Sequence, residues 1–244
     1  MSRVAVITGA TRGIGAATAA ALGHHGFTVV VTGRSQLDVD AAAHQLNNEG
    51  IQVRGVVLDV TSPENAATAA QQIGDEFRHV DVLVNNAGAL PEGTSPGAEV
   101  AYPAVAASTF ATNVLGPFNV VEAFLPLLRK SEAGRIVNIS TRMGSLAEQA
   151  DPSSAYYSMI VPAYQASKAA LNSFTISLSK ALADTPILVT SVCPGFVQTD
   201  LTPVNRDHAP TTPEEAAQVV LTAATLPAGA PSGTFVDADG PIRW

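Results

Sequence analysis

The chain has 244 residues, 46% of them hydrophobic and 14% charged, so a large share is available for a buried core. Its formal net charge of −8 argues against nucleic acid or an anionic membrane as the main partner. One cysteine, Cys193, cannot close an internal disulfide, no run approaches the ~20 apolar residues of a membrane span, and no signal peptide precedes the first strand, so a soluble cytoplasmic protein is expected.

In chain order, short β-branched runs alternate with longer alanine-rich stretches. RVAVITG, FTVVVTG, IQVRGVVLD, VDVLVNN, GRIVNIS and PILVTSVCP each read as a strand buried on both faces. Helices are predicted between them, over Gly15 to His25, Asp38 to Asn48, Pro63 to Phe77 and Val105 to Lys130. This alternation predicts an α/β fold: a doubly wound parallel sheet of Rossmann type, in a single domain over 1–244, with right-handed crossovers.

Three segments interrupt the rhythm: residues 89–103, 145–162 and 198–213. All leave from carboxyl ends of predicted strands, where open α/β sheets bind ligands, so they are expected to wall a pocket rather than merely connect elements. With their flanks, over 89–103, 142–162 and 196–213, they carry Leu90, Met143, Leu146, Tyr156, Tyr157, Met159, Phe196 and Leu201 and few fixed charges. An apolar substrate fits such walls better than a phosphorylated one.

The first strand runs into TGATRGIG, residues 8–15. Gly9 permits a sharp turn, and Gly13 and Gly15 clear side chains from a backbone that must approach a pyrophosphate at the helix N-terminus. Thr11 and Ile14 complete the candidate cradle. The second strand ends at Gly33-Arg34, without the acidic residue that binds a ribose 2′-hydroxyl in NAD sites, and Arg12 lies within the glycine turn itself. Two guanidinium groups favour a 2′-phosphate, hence NADP(H); the alternative is two solvated surface arginines. Asp59-Val60 and Asn86-Ala87-Gly88 end the third and fourth strands, where Asp59 can accept from an adenine amino group; either motif can also be a plain turn signal.

Three tyrosines, Tyr156, Tyr157 and Tyr164, lie within nine positions, and lysine is scarce, with Lys130, Lys168 and Lys180 alone. Only Tyr164 has a cation four residues on, Lys168, which places both on one helix face.

With TGATRGIG, Asp59, NNAG (Asn85 to Gly88), Asn113, Ser140, Tyr164-x-x-x-Lys168 and PGFVQT (Pro194 to Thr199) in this order, the sequence resembles the short-chain dehydrogenase/reductase family over residues 3–240; its long Ser-to-Tyr segment and the ending SGTFVDADGPIRW look most like carbonyl-reductase-type members. The resemblance implies a catalytic tetrad of Asn113, Ser140, Tyr164 and Lys168 and NADPH-dependent reduction of a ketone or aldehyde. Ser140, at a strand end, is expected to turn its hydroxyl into the crevice and polarise the carbonyl. Tyr164 is expected to donate the proton, its pKa lowered by the neighbouring ammonium and the oxidised nicotinamide. Lys168 would also bond the nicotinamide ribose, and Asn113 would link the lysine to solvent through a water. Pro194, Gly195, Val197 and Thr199 would run beside the nicotinamide.

The five histidines show no metal-ligand spacing, and no catalytic metal is expected. Residues 145–160 could cover the helices through which relatives assemble, which favours a monomer over a dimer. Two other functions stay open. A β-ketoacyl thioester reductase would need basic residues near the pocket for an acidic carrier, with Arg129, Lys130, Arg142 and Arg206 the candidates. A non-enzymatic NADP-binding regulator would be expected to have lost part of the tetrad.

Overall fold

Strands that are apolar on both faces must be covered on both, and helices supply the cover here. The computed structural model describes residues 2–94 and 103–244. Among these, β1 (Arg3–Ile7), β2 (Phe27–Gly33), β3 (Val53–Val57), β4 (Val82–Asn85), β5 (Arg135–Ile139), β6 (Leu188–Val192), β7 (Thr234–Asp237) and β8 (Gly240–Pro241) form one sheet. Its order is β3-β2-β1-β4-β5-β6-β7-β8, parallel throughout except for the final β7–β8 pair. The helices are α1 (Gly13–His24), α2 (Gln36–Asn48), α3 (Pro63–Phe77), α4 (Pro103–Phe110), α5 (Gly116–Leu128), α6 (Leu146–Ala150), α7 (Pro162–Ala181), α8 (Pro203–His208) and α9 (Pro213–Ala224).

The period-2 pleat divides the core. Val4 and Val6 of β1 join Ile73 of α3 and Phe124 of α5 on one face, while Ala5 and Ile7 join Leu22 of α1 and Val220 of α9 on the other. The chain winds outward from β1 through β2 to β3 and then returns to place β4 on the other side of β1. The order therefore reverses between β1 and β4, and the crevice outside their carboxyl ends is the binding position of a doubly wound sheet. The glycine turn leaves β1 at that crevice and NNAG leaves β4 beside it.

The expected strands and helices are present, with three differences. The short β7 and two-residue β8 were not anticipated; four residues with glycine nearby offer too little periodicity to mark a strand. The single helix expected over Val105 to Lys130 is α4 and α5 joined by a π turn at Ala111–Leu115. That continuous stretch, Pro103–Leu128, is long and apolar enough to cross a membrane by length and composition, contrary to the expectation that none would be, and its residues Val120, Val121, Phe124 and Leu128 belong to the core.

The third difference concerns residues 145–160. They pack on the chain's last residues, Ala147 N donating to Trp244 O (3.0 Å) and Ser145 Oγ to Arg243 O (2.7 Å). Leu115 and Phe118 stay 57% and 46% exposed on the π turn and α5. Among the described residues, the segment meets α7 where Met159 O accepts from Gln165 Nε2 (3.2 Å) and leaves the part of the surface around Leu115 and Phe118 uncovered.

Candidate active site

The glycine turn is built by positive backbone angles and close packing. Gly9 and Gly13 have φ of +62° and +56°, the left-handed region. A Cβ on Gly15 would collide with Gly9 O and Asn86 Nδ2, and one on Gly13 would lie 3.2 Å from Thr199 Cγ2. Asn86 braces this turn: its Nδ2 donates to Thr8 O (2.8 Å) and Gly9 O (3.0 Å), while Thr8 Oγ1 accepts from Asn86 N and Ala87 N (2.9 and 3.0 Å). Its side chain thus shapes the cradle from behind. Ile14, in the first turn of α1, is partly buried against the core, and Val60 is buried against Gly116, so Val60 can offer only backbone to a ligand.

Thr11 Cγ2 lies against Gly33, where a Cβ would come within 2.7 Å. This contact joins the glycine turn to the end of β2, and the next residues on each side are Arg12 and Arg34. Both are exposed, and neither has an ion pair among the described residues. Beside them, burial works against ionisation of Asp59, but bonds from Thr61 N and Oγ1 to its Oδ1 (2.9 and 2.8 Å) and the Arg34 charge outweigh it and hold the carboxyl below its usual range.

Tyr164 and Lys168 share the inner face of α7, both buried, with Lys168 Nζ 5.7 Å from the centre of the Tyr164 ring. The ammonium donates to Ile139 O at the end of β5 (2.7 Å). A Cβ on Gly88 would stand 3.7 Å from both Lys168 Nζ and Asn113 Oδ1, so the NNAG turn closes on the same point. Asn113 lies in the π turn and is fully engaged there. Its Nδ2 donates to Ala89 O (2.9 Å) and Ser167 Oγ (3.0 Å), and its Oδ1 accepts from Ala89 N (2.8 Å). Single π turns of this kind recur at functional sites. With both amide protons spent, any water relay would have to use another atom of this residue.

Two expectations change. Burial, with the Cys193 thiol adding to it, pushes the Tyr164 phenol above its ordinary value rather than below it, and burial pushes the Lys168 ammonium down to about 8. Ser140 does not open to the crevice: it is buried, and its Oγ donates to Asn172 Oδ1 at 2.6 Å. Strand parity explains this, because Asn138, two residues earlier, faces α7 as well and donates to Thr175 Oγ1 (2.8 Å). The next residue, Thr141, is only partly buried; its Oγ1 accepts from Met143 N (3.3 Å), which leaves its proton free to be given.

Around this centre, Pro194 is buried, Gly195 turns at φ +91°, and Val197 is buried with its carbonyl accepting from Asn205 Nδ2 (3.1 Å). Tyr156 is half-buried, its phenol pushed up by burial and by Cys193, the thiol that also bears on Tyr164. Leu146, Tyr157, Met159 and Phe196 are exposed on the same loops. Residues 95–102 of the segment 89–103 lie outside the described residues. Arg142 is paired with Asp237 (2.6 Å) and Glu148 (3.1 Å), and Arg206 with Asp200 (2.5 Å). Arg129 and Lys130 end α5 just before Ser131, which bonds Asp81 ahead of β4 (2.6 Å), at the amino ends of the strands and so opposite the crevice. Among the described residues there is no cluster of histidine, cysteine and carboxylate side chains able to hold a metal.

Comparison with known proteins fits this arrangement. A family model described as short chain dehydrogenase matches residues 3–210. The chain is 34% identical over 238 residues to a 3-oxoacyl-acyl-carrier-protein reductase of Aquifex aeolicus, covering 90% of this chain and 88% of that one. Its fold is similar to that of the NADPH-bound carbonyl reductase from chicken fatty liver, with a TM-score of 0.85, 25% identity, and coverage of 100% and 99%. It is also similar to a short chain dehydrogenase of Shigella flexneri complexed with NADP, with a TM-score of 0.84, 28% identity and 97% of both chains covered.

Proposed function

The chain belongs to the short-chain dehydrogenase family of oxidoreductases, and from that premise we propose that it reduces an apolar small-molecule ketone or aldehyde to the alcohol with NADPH. The observation that carries this reading is the buried Tyr164–Lys168 pair beside the glycine turn at the reversal of the sheet.

The cradle fits a dinucleotide. Gly9, Gly13 and Gly15 leave room where side chains would intrude, and the start of α1 directs backbone N–H groups outward for a pyrophosphate. Arg12 and Arg34 would bind a 2′-phosphate, and Asp59 keeps Oδ2 available to an adenine amino group. Gly88, Pro194, Gly195 and Thr199 would border the nicotinamide end. The bound cofactor supplies the hydride.

The residues of the chain do the rest. Tyr164, held protonated by burial, gives its proton to the carbonyl oxygen as negative charge develops there. Lys168 keeps a positive charge beneath the ring, and Asn113 fixes the geometry of the β4 exit against α7. For the hydroxyl that polarises the carbonyl, Thr141 replaces the expected Ser140, whose proton is already committed to Asn172. Residues 89–103, 142–162 and 196–213 would form the substrate walls.

A second reading, reduction of a β-ketoacyl thioester on a carrier, is favoured by the likeness to the Aquifex aeolicus enzyme. Against it, Arg129 and Lys130 lie at the far end of the sheet and Arg142 is partly buried in pairs with Asp237 and Glu148, so that of those four only Arg206, in an exposed and weak pair with Asp200, could meet an acidic carrier at the pocket. A panel of ketones, aldehydes and carrier-bound β-ketoacyl thioesters, assayed by NADPH oxidation, separates the two. Turnover of free carbonyl compounds supports the first reading; turnover confined to the carrier-bound thioesters would replace it with the second.

A further inference from the structure

The first turn of α7 lacks an ordinary cap. Val161 stands at its N-cap with no side-chain acceptor, and Pro162 has no N–H to offer. The next two amides, of Ala163 and of Tyr164 itself, are bound by one carboxylate 71 and 72 residues earlier in sequence. Glu92 Oε1 accepts from Ala163 N at 3.0 Å and Oε2 from Tyr164 N at 2.8 Å. Glu92 is partly buried and has no ion pair among the described residues, so its charge is balanced by the amides and the positive end of the helix.

The same short stretch holds Asn113 at its other end, for Ala89 gives its N–H to Asn113 Oδ1 and its C=O to Asn113 Nδ2. Ala89 to Glu92 is therefore a strap between two members of the proposed tetrad. Its next residue, Gly93, packs on Thr202 of the third pocket loop, where a Cβ would approach Thr202 Cγ2 to 2.5 Å.

We propose that Glu92 is a positioning residue for Tyr164, setting the place of the phenol through the backbone of the helix that carries it and tying that helix to the substrate loops. The inference rests on the reading of Tyr164 as proton donor. A displacement of about 1 Å at a reacting group costs on the order of 100-fold in rate, so a clamp on the tyrosine's own amide is well placed to matter. An amide side chain keeps the shape but turns an NH2 group towards one of the two N–H donors.

The test compares Glu92→Gln, Glu92→Asp, Tyr164→Phe and the double variant Glu92→Gln/Tyr164→Phe. Glu92→Gln should lower kcat about 10- to 100-fold, with KM changed less than about threefold and the NADPH Kd, read from cofactor fluorescence, within about twofold. Glu92→Asp, which keeps the charge, should recover part of that loss. In the Tyr164→Phe background, Glu92→Gln should reduce the residual rate less than about twofold, because there is no phenol left to place. The inference fails if Glu92→Gln keeps wild-type kcat, if its loss is undiminished without the phenol, or if kcat, NADPH affinity and Tm all fall together. Full activity of Tyr164→Phe would instead remove the functional reading on which it stands.

Discussion

Lys168 Nζ lies 5.7 Å from the centre of the Tyr164 ring and donates to the carbonyl of Ile139 at 2.7 Å, so the last residue of β5 fixes the cation beneath the proposed acid. Burial raises the phenol and lowers the ammonium, to about 8 for the latter. In the protein without cofactor, the reducing direction already has its proton in place, while the oxidising direction must first remove it.

The pH dependence follows from these directions. Carbonyl reduction should be nearly flat from pH 6 to about 7 and decline through about 8, as Lys168 loses its proton. Alcohol oxidation, which needs the phenolate, should climb with pH, on the order of tenfold per unit where deprotonation limits the rate. Initial rates in both directions from pH 6 to 10 check this. An oxidation rate independent of pH would contradict it.

Stability carries the same signature. Because the folded lysine has its pKa below the unfolded value of 10.5, the unfolded chain binds more protons between about pH 8 and 10.5. Stability from this group therefore rises with pH through that window. For Tyr164 the folded pKa is the higher one, so its contribution is lost as pH rises above about 10. Urea unfolding of the cofactor-free protein beside Lys168→Met should show the wild type gaining on the variant from pH 8 to 10.

Gly15→Ala should damage both fold and cofactor site. The added methyl meets backbone at Gly9 O and the bracing Asn86 amide, neither of which can retreat without moving the turn. A loss of about 1–3 kcal/mol is expected in denaturant unfolding, with NADPH binding weakened at least tenfold. Unchanged stability would mean that the turn is looser than its contacts indicate.

Arg34→Asp tests the cofactor assignment. A carboxylate there repels a 2′-phosphate and accepts from a ribose hydroxyl, so the ratio of kcat/KM for NADPH over NADH should fall by at least about 100-fold, equivalent to about 2.7 kcal/mol. Arg12 would retain part of the phosphate contact, and adding Arg12→Ala should complete the reversal.

Much of the candidate site's layout was legible because it rests on local spacing. Tyr164 and Lys168 are one helical turn apart, and the glycines lie between a strand and a helix, both patterns visible within a dozen residues. The direction of the Ser140 hydroxyl was not legible because its surroundings are not local: only strand parity, set by Asn138, shows that it faces Asn172 on α7. Thr141 was the available clue, as the neighbouring hydroxyl of opposite parity. Glu92 left no trace in the sequence, since it caps a helix some 70 residues on and matches no capping pattern near that helix. The terminal strands β7 and β8 were missed for want of length, and the π turn around Asn113 because nothing in ATNVL breaks helical periodicity.

The hydroxyl beside the substrate can be assigned by substitution. Thr141→Val should lower kcat by roughly 10- to 100-fold and cost about 1 kcal/mol in stability, since it keeps the side chain's shape but removes a partly exposed hydroxyl that also caps Met143 N. Ser140→Ala should instead lower stability by about 1–2 kcal/mol, by orphaning the buried Asn172 Oδ1, and leave kcat within a few fold. The opposite pattern would return the role to Ser140.

The most direct measurement is the steady-state rate of NADPH oxidation by Tyr164→Phe on the best carbonyl substrate, with NADPH affinity measured in parallel. Loss of at least about 100-fold in kcat with the cofactor Kd unchanged is the predicted result. A variant that turns over at the wild-type rate would show that the proton comes from elsewhere.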